Sequence, residues 1–312
     1  MELGGPVRQN AEGQKYTASM SLSPALLADA GDAAAGAQGV GPGLALAVAS
    51  GLALLGYAWV GLLRARAGEG DVAPRPPRSS VPPMALAWTA QFIALFIDIS
   101  GYGLATPGAR FGFAPALSMT TWLVLTVYLI ESRFLPLHSV RRVLAWLAAA
   151  AVLLAWTFPG ESRPLAASPW APLHWVLGLA SYGLFGVAVL HAALMNRAEA
   201  RLRHKQATPG GLPLLQLERL TFQFVAAGVG VLSLAILLGW WFTPHWRWDH
   251  KNLLAVMGWL VLTGLLVGRR VYGWRGRRAT RWLYAGAVLL LLSYAGSRFV
   301  LEVILQRGGG VA

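Results

Sequence analysis

Apolar residues occur along the chain in eight long, nearly uninterrupted stretches that short polar segments separate. Each stretch approaches the ~20 residues that a helix needs to cross a hydrocarbon core of ~30 Å. Because the bilayer core offers no water to backbone N–H and C=O groups, such stretches must be helical. The pattern therefore predicts an all-α, polytopic transmembrane helical bundle of about eight spans. The predicted spans are residues 44–63, 84–104, 114–131, 143–158, 173–195, 219–241, 250–267 and 282–304.

The composition agrees with a membrane protein and excludes several classes of function. Hydrophobic residues make up 56% of the 312 residues and charged residues only 12%, whereas a soluble domain carries about 25% charged residues. The chain has no cysteine, which excludes disulfides, thiol redox chemistry and thiolate metal sites. No nucleophile–base pair, phosphate-binding loop or acidic metal cluster stands out, so we do not expect a bond-making enzyme.

Lysine and arginine alternate sharply between successive loops. The loops that follow the first, third, fifth and seventh spans hold 17 basic residues, and the alternate loops hold four. Basic loops stay in the cytoplasm, so the pattern predicts both termini on the non-cytoplasmic side of the membrane. Because the basic residues sit in short loops between apolar spans, we expect the lipid bilayer, and not nucleic acid, as their partner.

The chain divides into four predicted parts. Residues 1–43 are rich in Ala and Gly and predict a disordered tail without a signal-peptide pattern, in which Met20 is a second candidate start. Residues 44–83 hold the first span and a Pro/Arg-rich cytoplasmic linker, so the first helix is expected to pack loosely. Residues 84–304 form the main transmembrane domain, and residues 305–312 form a short tail.

The segment 239–251 concentrates aromatic and polar residues at the outer ends of the sixth and seventh spans. It holds four Trp, two His and one Asp within 13 residues. One interpretation is an interfacial aromatic belt, because indole rings favour the headgroup layer. The other is a site for a flat, anionic macrocycle such as haem, which needs flat surfaces, an axial nitrogen ligand and cations for its propionates.

The stretch Trp246-x-Trp248-Asp249-x-Lys251 resembles the core of the tryptophan-rich motif of the cytochrome c assembly proteins. These are haem-handling membrane proteins of the CcmC, CcmF and CcsA types, and the likeness is closest to the YpjD/HemX-like branch. The haem-export members read Trp-Asp-Pro-Lys-Glu-Thr, whereas this chain has His250 at the proline position, as in the YpjD/HemX-like branch, and lacks the Glu-Thr pair. Within residues 84–304, further matching stretches are 111–122, 174–182, 217–223, 272–277 and 297–302.

The resemblance implies a haem site on the outer face, with the histidines that flank the tryptophan-rich loop as iron ligands. His174 begins the fifth span and His250 begins the seventh, both on the outer side, so they are expected at one depth. Two neutral imidazoles could then coordinate one iron; interfacial histidines bonded to water or backbone are the alternative. The other predicted cofactor-binding residues are Trp240, Trp241, Trp246 and Trp248 as a platform, Arg247 and Lys251 as propionate partners, and Asp249, which would orient the loop or a ligand.

Two further polar features lie inside or near the spans. His191 follows His174 by 17 residues, about 25 Å along a helix. It is either a ligand of a second haem-binding position deeper in the membrane or a bundle histidine bonded to a neighbouring carbonyl. Glu218 and Arg219 predict an ion pair at the start of the sixth span.

The resemblance implies a haem-binding assembly factor of the bacterial inner membrane that supports cytochrome c assembly. Its expected partners are haem and either apocytochrome c or other cytochrome c biogenesis proteins, because a chain without cysteine needs a Cys-x-x-Cys-His segment from a partner for thioether chemistry. Two other functions remain open: a regulatory membrane protein of haem metabolism that acts by protein contact, and a small-solute permease. Permeases tend to place polar sites at the membrane midplane, whereas here the polar residues gather at the outer surface.

Overall fold

The computed structural model shows a predominantly helical chain. It describes residues 24–63, 81–101, 109–135, 137, 140–159, 161–163, 170–204, 214–242, 248–300 and 303. In chain order the helices are α1 (Pro24–Leu62), α2 (Val81–Ser100), α3 (Phe113–Glu131), α4 (Arg141–Thr157), α5 (Ala171–Arg203), α6 (Leu214–Phe242), α7 (His250–Tyr272), α8 (Gly276–Leu291) and α9 (Ser297–Phe299). A π-helix (Leu292–Gly296) joins α8 to α9, so the last three elements form one continuous helix.

The lengths and apolar character of these helices confirm a multi-pass membrane bundle. Within the described residues, six helices are long and apolar enough to cross a membrane: α1, α2, α3, α5, α6 and α7. α4 has 17 residues, and α8 has 16 before the π-helix continues it. The predicted total of eight crossings stays a prediction.

A short strand pair adds to the predicted all-α bundle. β1 (Ala109–Phe111) pairs antiparallel with β2 (Glu161–Arg163), with Arg110 opposite Ser162. Two extended loop segments that lie side by side satisfy each other's backbone hydrogen bonds, which accounts for the pair. Because β1 leads into α3 and β2 follows α4, the start of α3 and the end of α4 lie at the same end of the bundle. We call this the outer end.

Helix α1 begins earlier than the sequence predicts. It starts at Pro24, so the predicted disordered tail, residues 1–43, is helical from Pro24 onward, and residues 1–23 lie outside the described residues. The added segment is rich in alanine, the strongest helix former. The apolar part of α1, Gly43–Leu62, nevertheless agrees closely with the predicted first span.

Helix α1 also packs closely, which contradicts the loose packing expected from the linker. The Tyr57 hydroxyl donates a buried hydrogen bond of 2.6 Å to Gln91 Oε1 on α2. At Gly56 the two helices approach so closely that an added Cβ would lie 2.7 Å from the Cβ of Ala87. The composition of a linker does not report on the small and polar residues that hold the preceding helix, which explains the error.

The two larger hydrophobic cores among the described residues divide between the first and second halves of the chain, and a small third cluster joins the start of α3 to the π-helix. The first is built mainly from α1 to α4, around Tyr57 and Leu125. The second joins α5, α6, α7 and α8, around Phe185, Leu262 and Leu283. All predicted haem-site residues belong to the second half, at the end of α6 or near the starts of α5 and α7.

Candidate functional site

His174 lies near the start of α5, and its side chain is held against α6. Its Nδ1 is 2.8 Å from the backbone carbonyl oxygen of Ala235. A carbonyl oxygen can only accept, so Nδ1 carries the proton and donates. The lone pair of the neutral ring is then on Nε2. In metal-binding histidines, a backbone acceptor on one ring nitrogen commonly fixes the tautomer and the orientation of the ring in the same way.

Gly239 on α6 leaves the space that the His174 ring occupies. A Cβ at this position would lie 2.8 Å from His174 Cε1 and 3.1 Å from Nδ1. Both distances are shorter than ordinary van der Waals contacts, so any side chain at residue 239 would displace the imidazole. The glycine therefore belongs to the site although it carries no functional group.

Two of the predicted platform tryptophans line an open cleft between α6 and α7. Trp240 and Trp248 border it together with Ile236, Leu237 and Val256, and its volume is about 440 Å³. This volume is within the range of small-molecule sites. The two indoles are 63% and 70% exposed, so large flat apolar surfaces are available to a ligand. Trp241, at the last turn of α6, is also exposed.

Asp249 fixes the start of α7. Its backbone is extended, and its Oδ1 accepts a hydrogen bond of 2.8 Å from the backbone N–H of Asn252. This is an N-cap, which satisfies one of the first N–H groups of the helix. The carboxylate therefore orients the turn that begins with His250, whose side chain is exposed.

Lys251 connects this turn to the π-helix. Its backbone carbonyl accepts a 2.9 Å hydrogen bond from Ser293 Oγ, and its Nζ lies 5.5 Å from the centroid of the Tyr294 ring. π-Helical turns inside α-helices often occur at functional sites. Here the π-helix holds the residue that the sequence predicts as a propionate partner.

The structure brings some of the predicted residues together and leaves others as predictions. α5 packs chiefly on α6, and α7 packs chiefly on α8, so the joint coordination of one iron by His174 and His250 stays a prediction. Trp246 and Arg247 lie outside the described residues. Among the residues that the structure describes, no group of three or more His, Asp or Glu could hold a metal ion.

Comparison with known proteins identifies the family. The model of the family described as "Cytochrome C assembly protein" matches residues 107–305, which cover well over half of the chain and include every candidate site residue. This chain belongs to the cytochrome c assembly protein family. The resemblance that the tryptophan-rich segment indicated is thereby confirmed.

Named relatives within the family agree with this assignment. Inner membrane protein YpjD of Escherichia coli (strain K12) is 35% identical over 149 residues, which are 45% of this chain and 55% of that protein. Cytochrome c biogenesis protein CcsA of Synechococcus sp. (strain RCC307) is 27% identical over 234 residues, 68% of each chain. CcsA of Trichormus variabilis is 29% identical over 116 residues, 35% of this chain and 33% of that protein.

The relatives and the helices together assign the compartment. The chain spans about half the length of the YpjD relative, 55%, and no solved structure matches it. The likeness to an inner-membrane protein and the six membrane-crossing helices make this cytochrome c assembly protein a multi-pass inner-membrane protein.

Both ring nitrogens of His191 lie close to oxygen atoms of the protein inside the bundle. Its Nδ1 lies 2.9 Å from the carbonyl oxygen of Val187 on its own helix, and its Nε2 lies 3.1 Å from Glu131 Oε2 without the geometry of a hydrogen bond. The ring also stacks on Phe224, with centroids 5.4 Å apart. These contacts favour a structural role for His191 within the bundle over a role as the ligand of a second, inner haem-binding position.

Glu218 has different partners from the one predicted. Its Oε1 lies 3.6 Å from Arg269 Nη2 and 3.2 Å from Arg275 Nε, so the predicted pair with Arg219 is wrong. Adjacent residues on a helix do not face each other, whereas the end of α7 and the loop after it lie beside the start of α6. The carboxylate therefore joins two segments of the chain instead of capping its own helix.

Proposed function

We propose that this protein holds haem at the outer end of α5, α6 and α7 and supports cytochrome c assembly there. The observation that carries the proposal is the Nδ1 contact of His174 with the Ala235 carbonyl, 2.8 Å long. With the ring held in this way, Nε2 would be the atom that binds the iron, near the outer end of α5. The exposed indoles of Trp240 and Trp248 supply the flat apolar surface that a porphyrin requires.

Each remaining residue of the site has a role in this proposal. His250, exposed at the start of α7, is the second iron ligand, and Trp241 and Trp246 complete the platform. Arg247 and Lys251 pair with the propionates through charge-assisted hydrogen bonds. When bound, haem would supply an iron that accepts two imidazole nitrogens. The chain itself has no cysteine, so apocytochrome c or another biogenesis protein would supply any thiols.

The proposal includes the predicted topology of eight spans with both termini outside. It is supported by the strand pair, which places the loops before α3 and after α4 at one end. Because the chain has no cysteine, single cysteines can report the topology. Thr157→Cys at the end of α4 is expected to react with an impermeant maleimide in intact cells, and Arg203→Cys at the end of α5 is not. The opposite labelling pattern would invert the orientation.

Haem binding by purified protein tests the function. We expect detergent-solubilised protein to bind added haem with a Soret band. The variants His174→Ala and His250→Ala should each weaken binding by about tenfold or more, because even partners of metal ligands contribute 10–100-fold. The double variant should lose the band.

The control removes an imidazole from the other end of the same helix. His204 is exposed at the C-terminal end of α5, and His204→Ala should bind haem as the unmodified protein does. A protein that stays colourless with added haem would instead favour the regulatory function through protein contact. An equal Soret band in all variants would show that these imidazoles do not bind the iron.

A further inference from the structure

The turn between α7 and α8 is built as a rigid unit. α7 ends at Gly273, whose φ of 64° is left-handed, and the N–H groups of Gly273 and Trp274 donate to the carbonyls of Arg269 and Gly268. This is a Schellman-type ending. The Trp274 ring lies directly on Gly268, where an added Cβ would be 2.5 Å from the ring. The indole is therefore fixed in place.

Trp274 is the centre of an aromatic column on this turn. Its ring stacks on Tyr272 at 6.2 Å and on Trp282 at 5.9 Å between centroids. Tyr272 is 74% exposed and Trp282 is 42% exposed, so both outer rings face the surroundings of the protein. Tyr and Trp in such positions occupy the headgroup level of a bilayer. The column thus sets the depth at which the surrounding side chains meet the lipid.

Arginines surround the column, and few carboxylates lie near them. Six arginines lie within residues 269–281. Glu218 contacts Arg269 and Arg275, and Glu199 lies beside Gly276. Four positive charges therefore remain in excess over these two carboxylates.

The outward-facing arginines have no carboxylate partner in the described part of the chain. Arg270, Arg277, Arg278 and Arg281 are exposed, and Arg278 Cζ lies 4.3 Å above the Trp274 ring. The first turn of α8 contains no acidic residue, so basic residues stand at the positive end of the helix dipole, where an anion is favoured. Within the described part of the chain, the positive charge of these four arginines is therefore not neutralised by carboxylates.

We propose that this basic turn, residues 269–282, binds the phosphate of an anionic phospholipid headgroup. The aromatic column anchors the turn at headgroup depth, and Arg277, Arg278 and Arg281 on the first turns of α8 hold the phosphate. Arginine suits this ligand because its planar guanidinium donates two hydrogen bonds to one phosphate. Clusters of four to eight basic residues next to a membrane helix are typical of anionic-lipid recognition. The site lies at the opposite end of α7 from the haem site and is independent of it.

Lipid titration of the full chain in neutral detergent micelles tests this proposal. We expect phosphatidylglycerol to raise the thermal midpoint in a saturable manner, and phosphatidylcholine to have no such effect. A juxtamembrane arginine contributes about fivefold in affinity, so the triple variant Arg277→Gln, Arg278→Gln, Arg281→Gln should weaken phosphatidylglycerol binding on the order of a hundredfold. The effect should also decrease with added salt.

A matched variant removes the same charge elsewhere. Arg197, Arg201 and Arg203 are exposed at the same end of the bundle on α5, without an aromatic column among the described contacts. Their triple change to Gln should leave the titration within about twofold of the unmodified protein. Equal weakening in both triple variants, or equal effects of the two lipids, would overturn the proposal. Inorganic phosphate that gave the same stabilisation would also overturn it, because the ligand would then be a free anion.

If the triple variant on α8 does not fold, the single variants Arg277→Gln and Arg281→Gln test the lipid-binding proposal instead. Each is expected to weaken phosphatidylglycerol binding about fivefold, whereas Arg201→Gln is not. Unchanged binding in both single variants would overturn the assignment of these arginines.

Discussion

Replacing Gly286 with Leu is expected to prevent α8 from docking on α7 and to leave little folded protein. A Cβ at Gly286 would lie 2.5 Å from Leu262 Cγ, and at the facing Gly258 it would lie 2.8 Å from Leu290 Cδ2. Leu262 and Leu290 are 0% and 2% exposed, so each leucine fills the place that a glycine leaves on the other helix. Overpacking of a core costs about 1–3 kcal/mol or more, and a full leucine here should exceed about 3 kcal/mol.

The control for this prediction is Gly264→Leu on α7. No heavy atom lies within 4 Å of a Cβ built at Gly264, so this leucine would enter open space. Both variants share the gain of about 0.8 kcal/mol that a helix obtains when glycine is replaced. Thermal midpoints and the yield of monodisperse protein in detergent measure the difference. Equal midpoints for the two variants would show that α7 and α8 do not meet at Gly286.

Six of the predicted membrane spans correspond to helices that can cross a membrane, because hydropathy reports contact with lipid. The third span was expected at residues 114–131 and α3 is Phe113–Glu131. The same signal does not report where a helix ends. α5 continues to Arg203, beyond the expected residue 195, because the segment from Asn196 contains good helix formers that need not lie in lipid. The apolar pattern therefore underestimates the length of helices that extend beyond the hydrocarbon core.

The candidate site was predicted in its residue types but not in its geometry. His174 could be selected from its outer position and the family resemblance. Its partner is the backbone carbonyl of Ala235, and a backbone oxygen leaves no mark in the sequence. Ser293, whose hydroxyl holds the start of α7, is 42 residues from its partner Lys251. Such contacts depend on helix packing, which a single sequence does not reveal.

The role of Gly239 also could not be predicted from the sequence. Its substitution offers the most direct test of the His174 geometry. Beside Trp240 and Trp241 it could be taken for a spacer at the end of a span. The structure instead places the imidazole of His174 where a side chain at residue 239 would be, with an added Cβ 2.8 Å from Cε1. The missing side chain is thus what allows the ring to reach the Ala235 carbonyl.

Gly239→Val is therefore expected to displace the His174 ring and to abolish its hydrogen bond with Ala235. Without that bond the tautomer and the direction of Nε2 are no longer fixed, and the proposed haem affinity should fall about 10–100-fold. The loss should approach that of His174→Ala, although the histidine itself is retained. Haem titration followed at the Soret band measures the effect.

Gly230→Val provides the matched control on the same helix. No heavy atom lies within 4 Å of a Cβ at Gly230, so valine there should leave haem binding unchanged. Both variants introduce the same β-branched residue into α6 and therefore share any cost to the helix itself. A Gly239→Val protein that folds and binds haem as tightly as Gly230→Val would show that the orientation of His174 does not determine haem binding. If haem affinity falls in Gly239→Val alone, the affinity depends on the fixed orientation of the His174 imidazole and not on the tryptophans by themselves.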